Sequence, residues 1–198
     1  MAAAFDRLRD DHVAFIAQQP MFFVASAPSG SGGHVNLSPK GADTFRVLDA
    51  TTVAYLDYTG SGAETIAHVR DNGRLTIMFN SFGPKPLILR LFGRGDVLVA
   101  GSEAFRAFVV DPPFPGGVGV RSIIRLAIDR VQTSCGYGVP LMDFVAHRPR
   151  MDEWAESKGP EGIAAYQAEK NWRSIDGLPA LEGLSGVDGA SDGVGRRM

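Results

Sequence analysis

The chain has a single cysteine, Cys135, among 198 residues. It can make no internal disulfide, and a lone thiol of this kind suits a small core residue in a reducing compartment. Charge of one sign is also lacking. Twenty Lys and Arg stand against 22 Asp and Glu, for a formal net charge of −2, so no basic surplus exists to hold nucleic acid. No run approaches the ~20 apolar residues that would span a bilayer. The N-terminal segment carries Asp6, Arg7, Arg9, Asp10 and Asp11 where a secretory signal needs its apolar stretch. A cytoplasmic protein with neither nucleic-acid nor membrane partners is the expectation. His12, His34, His68 and His147 form no H-E-x-x-H pattern, so no metal site is expected. There is no P-loop, no G-x-S-x-G elbow, and no repeat of 20–50 residues.

What is present is a series of short apolar or alternating segments separated by Gly and Pro. Apolar spacing predicts an amphipathic helix over 3–18, ending before Pro20. Strands are predicted at 21–26, 34–38, 53–58, 75–79 and 88–92, with a weaker one at 45–48. Residues 95–100 should pair with 88–92 as a hairpin or continue it as a bent strand. A short helix over 63–71 should stop at Asn72-Gly73. A second is expected over 103–110, and a β-branched strand over 121–134. Residues 151–172 read as helix broken around Gly159-Pro160, with Trp154, Ile163, Tyr166 and Trp172 as packing residues. A parallel-sheet enzyme would alternate strand and helix throughout. This order instead predicts a mainly β protein, an antiparallel barrel with α insertions.

The segment most able to carry chemistry is 55–65 (YLDYTGSGAET). A strand ends there, a Gly/Ser/Thr turn follows, and a helix begins. Unpaired N–H groups and the helix dipole favour an anion at such a place. Thr59, Ser61 and Thr65 add hydroxyls; the same residues also suit plain capping by Ser61. A dinucleotide fingerprint fails because Thr65 stands where G-x-G-x-x-G needs its third glycine. Lys40, in 36–41 (NLSPKG), offers a cation for a phosphate, or is a solvated turn lysine. Arg90 lies inside an apolar strand and needs a partner if buried. His68 reads as a surface or packing residue, His34 as a bystander, and Cys135 as buried core.

Together the blocks HVNLSPKG (34–41), VAYLDYTGSGAETIAHVRDNGRLTIMF (53–79) and ILRLFGRGDV (88–97) resemble the flavin-binding core of the pyridoxamine 5'-phosphate oxidase-like family. The resemblance covers residues 5–140 in the family's order and approximate spacing. SCGYGVP (134–140) and KNWRSIDGLPAL (170–181) resemble its oxidase-related branch. The resemblance implies an FMN-binding split β-barrel over 1–145. A helical C-terminal extension over 146–181 would pack on the barrel, before a mobile tail over 182–198. It further implies a homodimer with FMN at the interface and a small-molecule substrate.

By the same resemblance Lys40 contacts the FMN phosphate, residues 55–59 run beside the ribityl chain, and Arg90 lies near the flavin ring. Glu64 and Thr65 stand where the oxidase proper has an Arg-Lys pair. The candidate cofactor set is therefore Asn36, Ser38, Lys40, Tyr55, Asp57, Tyr58, Thr59, Ser61, Glu64, Thr65 and Arg90. No catalytic residue is assigned. A flavin-dependent oxidoreductase is the leading expectation. The alternatives are a non-catalytic flavin or haem binder or sensor, or a deazaflavin-dependent reductase.

Overall fold

Period-two burial explains most of the sheet. In β2 (Phe22–Ser26), Phe22, Val24 and Ser26 are buried while Phe23 and Ala25 are half-buried, so one strand face meets a core. In the computed structural model, which describes residues 2–108 and 110–184, the other strands are β1 (Ala3–Phe5), β3 (Asn36–Lys40), β4 (Phe45–Val47), β5 (Thr52–Tyr58), β6 (Arg74–Asn80), β7 (Ile88–Val99) and β8 (Val120–Ser134). They pair antiparallel in the order β3-β2-β6-β7-β8-β5-β4, with β1 on β8.

The two ends of this sheet curl toward each other. Phe22 meets Phe45 and Tyr55 edge-to-face, with centroids 5.0 and 5.5 Å apart, and Phe45 meets Phe79 at 4.9 Å. Lys40 at the β3 edge reaches Asp57 in β5. The result is an open antiparallel split barrel with few helices. Val24, Ile77, Leu89, Leu91, Ile124 and Leu126 fill its interior, each worth about 2 kcal/mol of burial. A smaller cluster (Ala54, Leu56, Leu98 and Ile123) covers the outer face of β5. That is why β5 is buried on both faces.

Two irregularities in β8 shape the barrel. One lies opposite Phe92/Gly93 of β7, where the register steps from Phe92↔Arg130 to Gly93↔Ile128. The other lies opposite Asp57/Tyr58 of β5, where it steps from Asp57↔Ser122 to Tyr58↔Val120. At the first, a Cβ on Gly93 would fall inside the Ala127 carbonyl oxygen, so only glycine permits the crossing. The extra residue, Asp129, is in β8, and β7 runs on past it to Val99. Of the two forms expected for 95–100, the bent strand is the one found.

Helix α2 (Glu64–Asn72) stops at Gly73, whose φ of 71° is left-handed, as its sequence predicted. Helix α4 (Arg150–Lys170) is broken at Gly159, φ 64° and ψ 175°, ahead of Pro160, also as expected. Trp154 packs edge-on to Tyr166 with centroids 5.0 Å apart.

The N-terminus departs from expectation. Residues 3–5 are strand, and α1 (Asp10–Ile16) is far shorter than a helix over 3–18. The reason lies in β8. Its partner β5 covers only the stretch up to Ala127, and β1 fills the same edge further on, at Val131–Thr133, where an open edge would otherwise remain. The Arg9 N–H then donates to His12 Nδ1, starting α1 at Asp10. Helix α3 (Glu103–Ala107), begun by the Ser102 hydroxyl accepting the Phe105 N–H at 3.1 Å, ends short of 110. Beyond Leu184, the segment expected to be a mobile tail lies outside the described residues.

Candidate functional site

Asp57 organises the site. It lies on the barrel-facing side of β5, and its side chain is almost wholly buried. Alternation along β8 would put Ser122 beside it and turn Arg121 to the opposite face. The bulge at Asp57/Tyr58 keeps Ser122 there and brings Arg121, the extra residue, to the same side, a common use of bulges near functional sites. Arg121 Nε and Nη2 then lie 2.9 and 2.8 Å from Asp57 Oδ2, and Ser122 Oγ donates to the same oxygen at 3.2 Å. Lys40 Nζ donates to Oδ1 at 3.2 Å. Burial opposes ionisation of Asp57, but the Arg121 and Lys40 charges outweigh it and hold the carboxyl below its ordinary pKa.

Above this triad opens a cleft of about 200 Å³. Seven of the sequence-predicted residues line it: Asn36, Ser38 and Lys40 from β3, Asp57 and Tyr58 from β5, and Glu64 and Thr65 from α2. The β3 alternation puts Asn36, Ser38 and Lys40 on one face. Arg121, Pro39, Gly60, Gly62 and Met151 complete the lining. Helix α2 aims its first turn here. Its first intrahelical bond is Ala67 N–H to Ala63 O, so the amides of the first turn remain outside its ladder.

Glu64 is the discordant charge. Its Oε1 accepts the Ile175 N–H at 3.3 Å, and its Oε2 folds over Gly62, in space a Cβ there would fill. The C-terminal extension thus holds this carboxylate at the cleft wall. The same extension straps the 59–62 turn. Gln167 Nε2 donates to Thr59 Oγ1 at 2.7 Å, and Asn171 Nδ2 donates to Gly60 O at 2.8 Å. Asp176 accepts from the His34 N–H at 2.8 Å and pairs with His34 Nδ1 at 2.7 Å.

Four predicted residues are placed elsewhere. Tyr55 is fully buried in the barrel core against Phe22, and burial together with the neighbouring Asp57 pushes its phenol well above the usual value. Thr59 is buried and already bonded to Gln167. Ser61 is exposed and does not cap α2, whose N-cap is Ala63. Arg90 donates to Ser134 Oγ at 3.0 Å across β7 and β8, away from the cleft. Cys135, expected in the core, is exposed. There the chain leaves β8 at Gly136, whose φ of 67° is left-handed and whose own Cβ position is crowded by Leu87. Sequence reasoning missed Arg121 altogether.

A larger cavity of about 540 Å³ lies on the other side of β5, lined by Leu56, Phe105, Phe108, Phe114 and Ile123 among others. It is apolar and offers no cation, whereas the smaller cleft gathers the donors. Among the described residues there is no metal-ligating cluster, and no helix is long and apolar enough to cross a membrane.

The profile of the family "Pyridoxamine 5'-phosphate oxidase" matches residues 8–135. The chain belongs to the pyridoxamine 5'-phosphate oxidase family, which includes FMN-binding split barrels. Within the pyridoxamine 5'-phosphate oxidase family it is 42% identical over 196 residues to the family protein ustO of Aspergillus flavus, covering 91% of this chain and 78% of that one. Solved structures are more distant. A putative pyridoxamine 5'-phosphate oxidase of Lactobacillus delbrueckii is 17% identical, covers 64% of this chain and 94% of its own, and has a TM-score of 0.49. A pyridoxamine 5'-phosphate oxidase-related, FMN binding protein of Nostoc punctiforme is 13% identical, covers 58% and 73%, and has a TM-score of 0.40.

Proposed function

We propose that this chain binds FMN in the cleft between β3, β5 and α2, and that it is a flavin-dependent oxidoreductase acting on a small molecule. The observation that carries the reading is the convergence of Lys40, Arg121 and Thr65 on one small cleft at the first turn of α2. A phosphate asks for that set: cations, a hydroxyl donor and free backbone amides. Only part of each cation's donor capacity is taken. The Lys40 ammonium has three N–H groups and gives one to Asp57. Arg121 turns Nε and Nη2 to Asp57 and Nη1 to Gly62 O, three of its five N–H groups.

When bound, the isoalloxazine ring supplies the redox chemistry, and the protein supplies binding and orientation. In that arrangement Lys40 and Thr65 hold the phosphate, Asp57 keeps both cations aimed into the cleft, and Tyr58 walls its rim. Asp57 is the carboxylate deepest in the cleft, and its lone pairs are committed to Arg121, Lys40 and Ser122. It is therefore a poor general base, and this favours the second reading, a flavin-binding protein without turnover.

A cleft of about 200 Å³ is smaller than the roughly 300–1,000 Å³ typical of small-molecule sites. The shortfall fits a site that a second copy completes, and so supports a homodimer. So does the exposed apolar stretch of Tyr137, Leu141, Met142, Phe144 and Val145, because contiguous apolar surface marks an interface. A cytoplasmic location is part of the same reading.

The test is an absorbance spectrum of the purified protein, followed by titration with FMN, deazaflavin and haem. Flavin uptake, lost in a Lys40→Ala/Thr65→Ala double variant that stays folded, supports the reading. A protein that takes up no FMN refutes it, and preference for deazaflavin or haem selects those alternatives. Consumption of NADH or NADPH by the loaded protein separates the enzyme from the binder. Sedimentation equilibrium reads the dimer.

A further inference from the structure

His68 lies on α2 and is fully buried, yet its Nε2 has no hydrogen-bond partner among the described residues. Its Nδ1 lies 3.0 Å from the buried Ser26 Oγ. Ser26 Oγ is in turn 3.2 Å from Asn36 Nδ2, and that same amide nitrogen reaches Thr65 Oγ1 at 2.9 Å. Ser38 Oγ donates to Asn36 Oδ1 at 3.1 Å. An unbroken chain of side chains therefore runs from an interior histidine to three residues that line the cleft.

The donors along this chain have one consistent direction. The Asn36 amide nitrogen has two protons and no lone pair to offer, so it donates to both Ser26 and Thr65. Ser26 accepts from Asn36 and has one proton left, which goes to His68 Nδ1. In this direction His68 is the neutral tautomer with its proton on Nε2, the nitrogen left without a partner. Thr65 accepts from Asn36, which frees its own O–H for the cleft. Ser38 uses its proton on Asn36 and offers the cleft only acceptor lone pairs. Were His68 Nδ1 protonated instead, Ser26 Oγ would accept from it, and the Ser26 proton would find an acceptor in the chain only if the bonds beyond it reversed. The Asn36 amide would then turn over, and the Thr65 proton would be drawn to Asn36 Oδ1 and away from the cleft.

We infer that His68 is a positioning residue: by accepting the Ser26 proton it sets the direction of the Ser26–Asn36 chain, and so points the Thr65 hydroxyl at an anion in the cleft. A buried N–H left unpaired costs free energy, so retaining imidazole here calls for a role beyond filling space. Burial also keeps His68 below the usual histidine pKa, against the upward pull of Asp176, Glu64, the Ser26 backbone and Asp71. The neutral form is the one the chain requires. The inference rests on the flavin reading for the identity of the anion, taken as the FMN phosphate.

Two measurements test it. The first is ¹⁵N NMR of histidine-labelled, flavin-free protein at neutral pH. Protonated Nε2 and bare Nδ1 on His68 are expected; a protonated Nδ1 overturns the inference whatever the protein does with flavin. The second compares FMN with riboflavin, which lacks the phosphate, in Ser26→Ala, His68→Leu and His68→Asn. Asparagine retains an acceptor near the Nδ1 position.

FMN affinity should fall on the order of tenfold in Ser26→Ala and His68→Leu, the loss of one donor to a charged group, with riboflavin binding unchanged. His68→Asn should restore most of the FMN affinity. Equal losses for both flavins, or no rescue by asparagine, would mean a merely structural histidine and overturn the inference. If the wild type binds neither flavin, the flavin reading fails by itself, and the tautomer spectrum still decides whether the chain runs as described.

Discussion

Arg121 Nε and Nη2 both close on Oδ2 of Asp57, at 2.9 and 2.8 Å, with each side chain 5% exposed or less. Two charges are thus held out of water at the floor of the cleft, stable because each satisfies the other. Removing one partner of such a pair leaves an uncompensated buried charge. Asp57→Asn should cost about 3–5 kcal/mol, read as a lower urea midpoint with little change in slope. Lys40 is less buried, and its loss leaves Arg121 paired, so Lys40→Ala should cost only about 1 kcal/mol. Equal losses for the two variants would mean that Arg121 finds other partners.

The same pair sets an acid limit. The Asp57 carboxyl titrates below its ordinary 3.8 in the folded protein, so on acidification the unfolded chain takes up the proton first. The stabilisation is therefore complete above the ordinary carboxylate range, at about pH 4, and is lost as pH falls through the folded value. Urea midpoints followed downward from neutral pH should decline more steeply for wild type than for Asp57→Asn. Parallel curves would place the acid sensitivity in other carboxylates.

Part of this site is legible in the sequence. Asn36 and Ser38 were legible because the strand alternates cleanly, and Thr65 because a Gly-rich turn announces a helix start; Lys40 read as a turn residue beyond Pro39, though β3 runs on through it, and Glu64 entered only through the family resemblance. Arg121 was not legible. In RSIIRLAIDRV its position reads as the face opposite Ser122, and only the bulge against β5 returns it to Asp57. Thr59 and Ser61 carry suitable hydroxyls, but the C-terminal extension occupies Thr59, and Ser61 points to solvent. Arg90 found its partner across the sheet in Ser134. The strand at 3–5 was hidden because its partner, the free edge of β8, lies more than a hundred residues away. Local pattern fixed which residues share a face; long-range register decided which faces meet.

Gly93 tests the other bulge. Its missing side chain lets β7 cross against the Ala127 carbonyl, and that carbonyl is backbone, which cannot swing aside as a side chain does. Gly93→Ala should cost about 2 kcal/mol or more through the forced shift of two paired strands. Thermal unfolding measures it. A variant as stable as wild type would show that the bulge can move at little cost.

Glu64 offers the sharpest reading of where an anion sits. Its carboxylate lines the cleft beside the first turn of α2, where a negative ligand would meet it as a like charge. Glu64→Gln removes that charge while leaving an amide oxygen to accept the Ile175 N–H, so the C-terminal strap stays in place. At a separation of several ångströms near a protein surface the repulsion is worth about 1 kcal/mol, so FMN should bind roughly three- to tenfold more tightly. Riboflavin, lacking the phosphate, should bind as before, and added salt should shrink the gain as screening rises. Titration of both flavins at low and high salt distinguishes the cases. A gain for both flavins would point to relaxed packing rather than charge, and no gain for either would put the phosphate away from α2.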